Sequence, residues 1–247
     1  SLAQTNHVVR YRFDFLVGHT VSDGVHFGTG LAGVSLECLQ GCHGVVLVLA
    51  AYAEGVFPMP LHSSGFGQMG WWSPMRRGVL LPDALRTTRS LRKSAKHYTT
   101  TVDAAFTQVL ERCADPSRPF GWIDDDIRRV YTALFEAGHV HSVETWDAAG
   151  RLVGGLYGVC LGGLFAGESM FHDPVYGRDA SKVALVALVD LLDDEHAEER
   201  VVDVQWQTEH LASLGVIEVE REEYLGLLAE ALAAPPPVWP VREGEHA

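Results

Sequence analysis

The chain has 247 residues, 47% of them hydrophobic, with 25 Gly and 11 Pro. That length and apolar content suffice to bury a core, which excludes a disordered tail, and Gly and Pro without a period exclude a fibrous repeat. Nineteen Lys and Arg against 32 Asp and Glu leave a charge of −13, a balance that argues against a nucleic-acid partner unless the basic residues cluster.

Residues 1–50 are rich in Gly and Val, carry little charge and show no helical period. The start at Ser1 without Met points to a processed or incomplete end. The longest apolar run, Val45 to Ala53, is roughly half of what a bilayer requires, so a soluble protein is expected. Cys38, Cys42, Cys113 and Cys160 are too scattered for a disulfide framework, which points to the cytosol. Residues 54–75, with Gly55, Pro58, Pro60, Gly65, Gly67, Gly70, Trp71, Trp72 and Pro74, read as a loop exposing two tryptophans.

Next comes a basic island. Residues 76–97 hold Arg76, Arg77, Arg86, Arg89, Arg92, Lys93 and Lys96 against Asp83 alone, while residues 98–247 hold 10 basic and 27 acidic residues. Asp83 reads as the N-cap of a helix through Ala84, Leu85, Leu91 and Ala95, whose spacing sets most of the charge along one stripe. Such a stripe is either a solvated helix face or a polyanion contact.

From Thr101 the pattern is regular. Val102 to Cys113 is predicted to be an amphipathic helix with Phe106, Val109 and Leu110 inward, and Asp125 to Ala137 another, stopped by Gly138. Strands follow over His141–Asp147, Leu152–Leu161 and Leu164–Met170, then a loop from His172 to Asp179 and a strongly apolar helix from Ala180 to Leu192. A strand over Val201–Gln207 and a helix over Glu222–Leu232 complete an α+β pattern with a mixed, mainly antiparallel sheet. Pro235, Pro236 and Pro237 are expected to end the fold as a stiff tail.

The Val201–Gln207 strand is the most informative segment. Alternation places Val202, Val204 and Trp206 on one face and Asp203, Gln205 and Gln207 on the other. Such a polar row is either an exposed edge strand or a surface that holds and polarises an amine or a hydroxyl. Glu168, inside the otherwise apolar end of a strand, needs a partner or water. Other signals fail: the glycines near residues 154–163 form no dinucleotide fingerprint, no phosphate loop or Gly-x-Ser-x-Gly elbow occurs, and neither Glu195 with His196 nor Cys38, Cys42 and His43 form a metal-ligand set. No metal is expected.

The segments Gly55-Val-Phe-Pro58, Trp71-Trp-Ser-Pro74, Trp122-Ile123, Gly138-His-Val-His-Ser-Val-Glu144, Val153-Gly-Gly-Leu-Tyr-Gly158, Phe165-Ala-Gly-Glu-Ser-Met-Phe171, Ala180-Ser-Lys182, Asp203-Val-Gln205 and His210-Leu-Ala-Ser-Leu-Gly215 occur in this order. In them the chain, from about Ala51 to Leu228, resembles the bacterial leucyl/phenylalanyl-tRNA–protein transferases. The resemblance implies an enzyme that moves Leu or Phe, and sometimes Met, from aminoacyl-tRNA to the N-terminal Arg or Lys of a protein, marking it for degradation. It implies a small N-terminal domain, residues 1–82, and a larger domain similar to the acyl-CoA N-acyltransferases, residues 83–247. It also implies Asp203 and Gln205 as the catalytic pair, Gln205 aiming the amine and Asp203 polarising it or relaying its proton.

Glu168 is then the candidate to attract the cationic acceptor. Leu156, Phe165 and Val202 match positions lining the pocket for the transferred side chain, Trp71 and Trp72 offer a surface for the terminal adenine, and Trp122 joins the substrate-binding set. Arg76, Arg86, Arg89, Arg92, Lys93 and Lys96 become the tRNA contact. No cofactor is expected, since aminoacyl-tRNA is a co-substrate that arrives activated; a cytoplasmic monomer is expected.

Three departures stand out: residues 1–48 lack the family's Gly-Gly-Asp-Leu-Ser-Pro type of segment, Met59 stands where Trp is common, and the loop His172–Asp179 is longer. The first is a divergent N-terminus or a shifted reading frame. An acyl-CoA N-acyltransferase is disfavoured because no pyrophosphate turn follows a strand. A non-catalytic adaptor for basic N-termini is the alternative, which retention of both Asp203 and Gln205 disfavours.

Overall fold

A computed structural model describes residues 42–60, 69–118 and 122–241. Expectations about residues 1–41, Cys38 among them, fall outside these residues. The elements in chain order are α1 (Cys42–Ala53), β1 (Phe57–Pro60), β2 (Met69–Trp72), β3 (Arg76–Leu80), α2 (Arg89–Ala95), β4 (Tyr98–Val102), α3 (Phe106–Cys113) and α4 (Asp125–Glu136). After them come β5 (Val140–Asp147), β6 (Leu152–Leu161), β7 (Leu164–His172), α5 (Ala180–Leu192), β8 (Val201–Gln205), α6 (Glu209–Ala212), β9 (Ile217–Glu220) and α7 (Arg221–Ala233).

Seven strands form one sheet in the order β4-β5-β6-β7-β8-β3-β9, all pairs antiparallel except β7 with β8. This is the expected α+β fold with a mixed, mainly antiparallel sheet. Helices cover both faces, since α3 packs on β5, β6 and β7 with α7 and α1 nearby, while α5 lies across β4 to β7. Two cores result. Tyr52, Ile127, Tyr131, Tyr157 and Tyr224 belong to one, and Leu156, Phe165, Leu185, Leu188 and Val202 to the other. Tyr157 and Leu156 are neighbours in β6 yet lie in different cores, as a strand buried on both faces requires.

Close approach explains Gly154. A Cβ there would stand 2.5 Å from the Ala180 Cβ, so only the missing side chain lets the start of α5 rest on β6. Glu144, fully buried in β5, accepts hydrogen bonds from Ser142 Oγ (2.5 Å), Thr101 Oγ1 (2.6 Å) and the Ala105 N–H (3.3 Å), so its carboxylate serves the first turn of α3. Burial pushes its carboxyl upward from the ordinary range, against those hydrogen bonds.

Four local expectations are corrected. The helix expected from Asp83 is a 3-10 turn over Pro82–Ala84, then an extended stretch. The helix itself starts at Arg89, because the Thr88 hydroxyl accepts from the Leu91 N–H at 3.1 Å and caps it. The expected loop over 54–75 holds a hairpin, β1 with β2, that buries Trp71. Val102 belongs to β4, which pairs with β5 residue for residue from Tyr98 to Val102. The proline tail is not an appendage: Arg200 donates to the Pro235 carbonyl at 3.1 Å, and Trp239 stacks on the buried ring of His141 at 3.8 Å between centroids. Among the described residues no helix is long and apolar enough to cross a membrane.

Candidate active site

The site forms where two parallel strands part. Strands β7 and β8 pair for three rungs, Leu164 with Val201, Phe165 with Val202 and Ala166 with Asp203. Beyond them each strand is irregular. Opposite β6, Tyr157 faces Ser169 and Gly158 faces Gly167, so Glu168 is an extra residue of a bulge. Opposite β3, Val79 faces Asp203 and Gly78 faces Gln205, so Val204 is an extra residue of another. A cavity of about 150 Å³ opens in the split, with Leu156, Phe165, Leu188 and Val202 forming apolar wall and Glu168 and Gln205 supplying the polar groups. Gly167, Ser169, Met170, Leu185, Val204 and Leu211 complete the lining.

Gln205 breaks the alternation of β8. Its φ is +59°, a left-handed conformation uncommon outside Gly and Asn, and its backbone N–H turns back to Asp203 Oδ1 at 2.9 Å. Gly78 makes this bend feasible, because a Cβ there would lie 2.6 Å from the Trp206 carbonyl carbon. The expected common face of Asp203 and Gln205 is therefore corrected: Gln205 joins Val202 and Val204 in lining the cavity, and Asp203 is fully buried behind it. Nor is β8 an edge strand, since β7 and β3 flank it. The Gln205 amide nitrogen is buried and has no hydrogen-bond partner among the described residues.

Asp203 is saturated. Arg77 grips it with Nε to Oδ1 at 2.8 Å and Nη2 to Oδ2 at 2.6 Å, and Tyr224 donates to Oδ2 at 2.9 Å. With the Gln205 N–H these fill all the acceptor positions of a carboxylate. The Arg77 guanidinium lies 4.5 Å from the ring centres of both Phe57 and Tyr224 and donates to the Gly55 carbonyl at 3.1 Å. Burial disfavours its charge, but Asp203 holds its pKa above the ordinary arginine range. Arg77 thus binds β1, β8 and α7 around one buried ion pair.

Glu168 is half-buried, and its carboxyl accepts from Tyr52 at 2.6 Å and Tyr131 at 2.7 Å, hydroxyls that lie 2.8 Å apart. Burial pushes the Glu168 carboxyl up to about 7, the two tyrosines pulling the other way. Trp122, half-buried, stands edge-on to Tyr131 at 6.3 Å between ring centres. Trp72 is half-buried and donates to the Met59 carbonyl at 3.0 Å, whereas Trp71 is a core residue with no face to offer a ligand.

The basic island divides. Arg86, Arg89, Arg92, Lys93 and Lys96 are exposed on α2 and the turn before it. Arg77 belongs to the ion pair just described, and the exposed Arg76 lies between Glu218 and Glu220 of β9, at 3.6 and 3.8 Å. Arg77, Tyr52, Tyr131 and Tyr224 were not legible as site residues, although one signal was present. Tyr131 occupies the inward stripe of α4 with Ile127, Val130 and Leu134, where a phenol needs a polar partner. Among the described residues no group of three or more His, Cys, Asp or Glu is placed to hold a metal ion.

Residues 79–229 match the family model described as leucyl/phenylalanyl-tRNA protein transferase, and residues 46–75 match the model for its N-terminal domain. The chain is similar to the leucyl/phenylalanyl-tRNA–protein transferase of Afipia carboxidovorans, with 45% identity over 193 residues, 76% of this chain and 82% of the relative. It is likewise similar to that of an Azoarcus species, with 46% identity over 195 residues, 77% of this chain and 79% of the relative.

Proposed function

This chain belongs to the leucyl/phenylalanyl-tRNA protein transferase family, and from that premise we propose how its site carries out aminoacyl transfer. It is an aminoacyltransferase with aminoacyl-tRNA as donor and a protein N-terminus as acceptor. We infer that the acceptor begins with Arg or Lys, that Met is transferred beside Leu and Phe, and that the product is marked for degradation. The enzyme acts as a cytoplasmic monomer without metal or cofactor, because an aminoacyl ester is already activated.

The observation that carries this reading is the Gln205 amide, buried at an apolar cavity with its nitrogen unpartnered. The cavity takes the transferred side chain. An apolar cavity of about 150 Å³ accepts a benzene ring, which suits Phe as well as Leu. Such a pocket separates hydrocarbon side chains by only about 1–3 kcal/mol per methylene, which suits tolerance of Leu, Phe and Met.

In the reaction the acceptor amine attacks the ester carbon, the new C–N bond forms, the ester C–O bond breaks, and the ribose hydroxyl leaves with the amine's proton. A primary amide is too weak a base to hold that proton near neutral pH. Gln205 therefore aligns the amine through its carbonyl and offers its nitrogen to the oxygen that gains charge. Asp203 has no free acceptor position for a relay, so it acts by position: it holds the Gln205 backbone in its bend and keeps Arg77 beside it. Glu168, fixed by Tyr52 and Tyr131, attracts the cationic acceptor. Trp122 and Trp72, both half-buried, are the platform for the terminal adenosine, and α2 meets the tRNA phosphates.

The direct test combines the purified protein, leucyl-tRNA or phenylalanyl-tRNA and a substrate beginning with Arg, with mass spectrometry of its N-terminus. One added Leu or Phe is expected. An unchanged substrate with tRNA binding intact sinks the transferase reading in favour of an adaptor for basic N-termini.

Glu168 sets a second expectation. Its carboxylate fraction grows as pH rises through about 7, so kcat/KM for the acceptor should climb there beyond the climb due to the amine itself, whose pKa is about 7.7–8. Glu168→Gln should lose the lower part of that rise. Superimposable profiles of the two proteins would remove Glu168 from acceptor capture.

A further inference from the structure

The loop Asp173–Asp179 after β7 divides two cavities that cations line. Met170 lines both the aminoacyl cavity and a neighbouring one of about 640 Å³, whose walls include Arg112, Lys182 and His210. Pro174 and Asp179 close that cavity on the loop side. On the other side of the loop, Tyr176 and Arg178 line a third cavity of about 900 Å³, which Lys93 and Lys96 reach from α2 and Arg151 from the β5–β6 turn. Asp179 of the second cavity accepts from Ser94 Oγ of the third at 3.0 Å, so one hydrogen bond spans the wall between them. The aminoacyl cavity, its neighbour and the basic concavity beside α2 therefore adjoin in series, the first two sharing Met170 and the last two separated by the Ser94–Asp179 contact.

The loop is held in a defined shape. Asp173 Oδ1 accepts the N–H groups of Val175 and Tyr176, both at 2.9 Å, and the Tyr98 hydroxyl donates to the Arg178 carbonyl at 2.8 Å. Yet its side chains point outward: the Arg178 side chain is 86% exposed and Tyr176 is 51% exposed, with the Arg151 guanidinium 3.7 Å above its ring centre. Four cations, Lys93, Lys96, Arg151 and Arg178, meet in one concavity, where Asp147 is the lone carboxylate among the described lining residues; Arg151 engages it, and Arg178 Nε stands 3.9 Å from Asp179 just outside the lining. In a chain of net charge −13 this convergence builds a local positive potential that a passing polyanion relieves.

We propose that Arg151 and Arg178, presented by the loop Asp173–Asp179 and the β5–β6 turn, form a second phosphate-contact surface for aminoacyl-tRNA, continuous with α2. This rests on the transferase reading above, because aminoacyl-tRNA is the polyanion that reaction supplies and the concavity shares Lys93 and Lys96 with the basic face at α2. Tyr176, half exposed and carrying Arg151 over its ring, adjoins this surface, where an unpaired base can stack on the guanidinium.

The test measures binding of leucyl-tRNA to the full chain between 50 and 300 mM salt. Arg151→Ala with Arg178→Ala should weaken binding and make the slope of log affinity against log salt shallower by about 1 for each contact removed. Arg178→Glu alone, at an exposed position where folding is unaffected, should weaken binding further than Arg178→Ala, and Arg178→Lys should keep the slope. An unchanged slope in the double variant and in Arg178→Glu overturns the proposal. Failure of the underlying reading looks different: the unaltered protein would then transfer no amino acid, whatever its salt slope.

Discussion

Arg77→Met is expected to cost about 3–5 kcal/mol of folding stability, the usual consequence of leaving one partner of a buried ion pair without the other. Arg77 and Asp203 are 1% and 0% exposed, so neither charge can be rescued by water in the folded state. For a chain of this size the loss corresponds to roughly 6–20 °C in Tm, at about 2–4 °C per kcal/mol. Thermal and urea unfolding of the purified variant measure it. The companion double variant, Arg77→Met with Asp203→Leu, should recover part of the loss, because a buried pair replaced by apolar groups of similar volume is often neutral. It should nonetheless stay inactive, because the Gln205 N–H has then lost the carboxylate that holds its bend. A single variant as stable as the parent would show that Asp203 finds another partner and that Arg77 does not organise the site.

Gln205→Ala should lower kcat by about 10²–10³, the range seen when one donor to a developing oxyanion is removed. Affinity for tRNA should stay at the level of the parent protein, since the amide lies inside the cavity, away from the exposed cations of α2 proposed to meet the phosphates. Stability should change little: the amide nitrogen makes no hydrogen bond to lose, and the cost of the left-handed φ of +59° comes from the Cβ that Gln and Ala share. Single-turnover transfer at saturating aminoacyl-tRNA, read beside the binding isotherm, separates the two effects. Loss of tRNA affinity with kcat retained would mean that Gln205 serves binding and that another group meets the reacting atoms.

Net charge illustrates how partners of opposite sign can hide one another. The value of −13 averages a basic face on α2 with an acidic remainder, and the proposed pairing of an RNA donor with a basic protein N-terminus gives each a use. The site combines the two demands at short range. Glu168, proposed to attract the acceptor, lines the aminoacyl cavity, whereas Lys93, Lys96 and Arg178 line a separate one beside α2.

The sequence by itself determined the elements with strong period and the motifs with fixed spacing. The stripe Ile127, Val130, Tyr131 and Leu134, the run Ala180–Leu192 and the strands β5 to β7 follow from local alternation and turn residues. Asp203, Gln205 and Glu168 were legible because polar groups in apolar strands stand out. What only the tertiary structure decided is which way those groups face and who holds them. Bulges, the parting of β7 from β8, and the left-handed Gln205 depend on the partner strand, so counting residues by two along one strand predicted a face that the folded chain does not keep. Arg77 read as one more surface cation, since a charge in sequence carries no sign of burial. Its partner lies 126 residues away, and only the close packing of Phe57, Tyr224 and Asp203 around it makes that burial favourable.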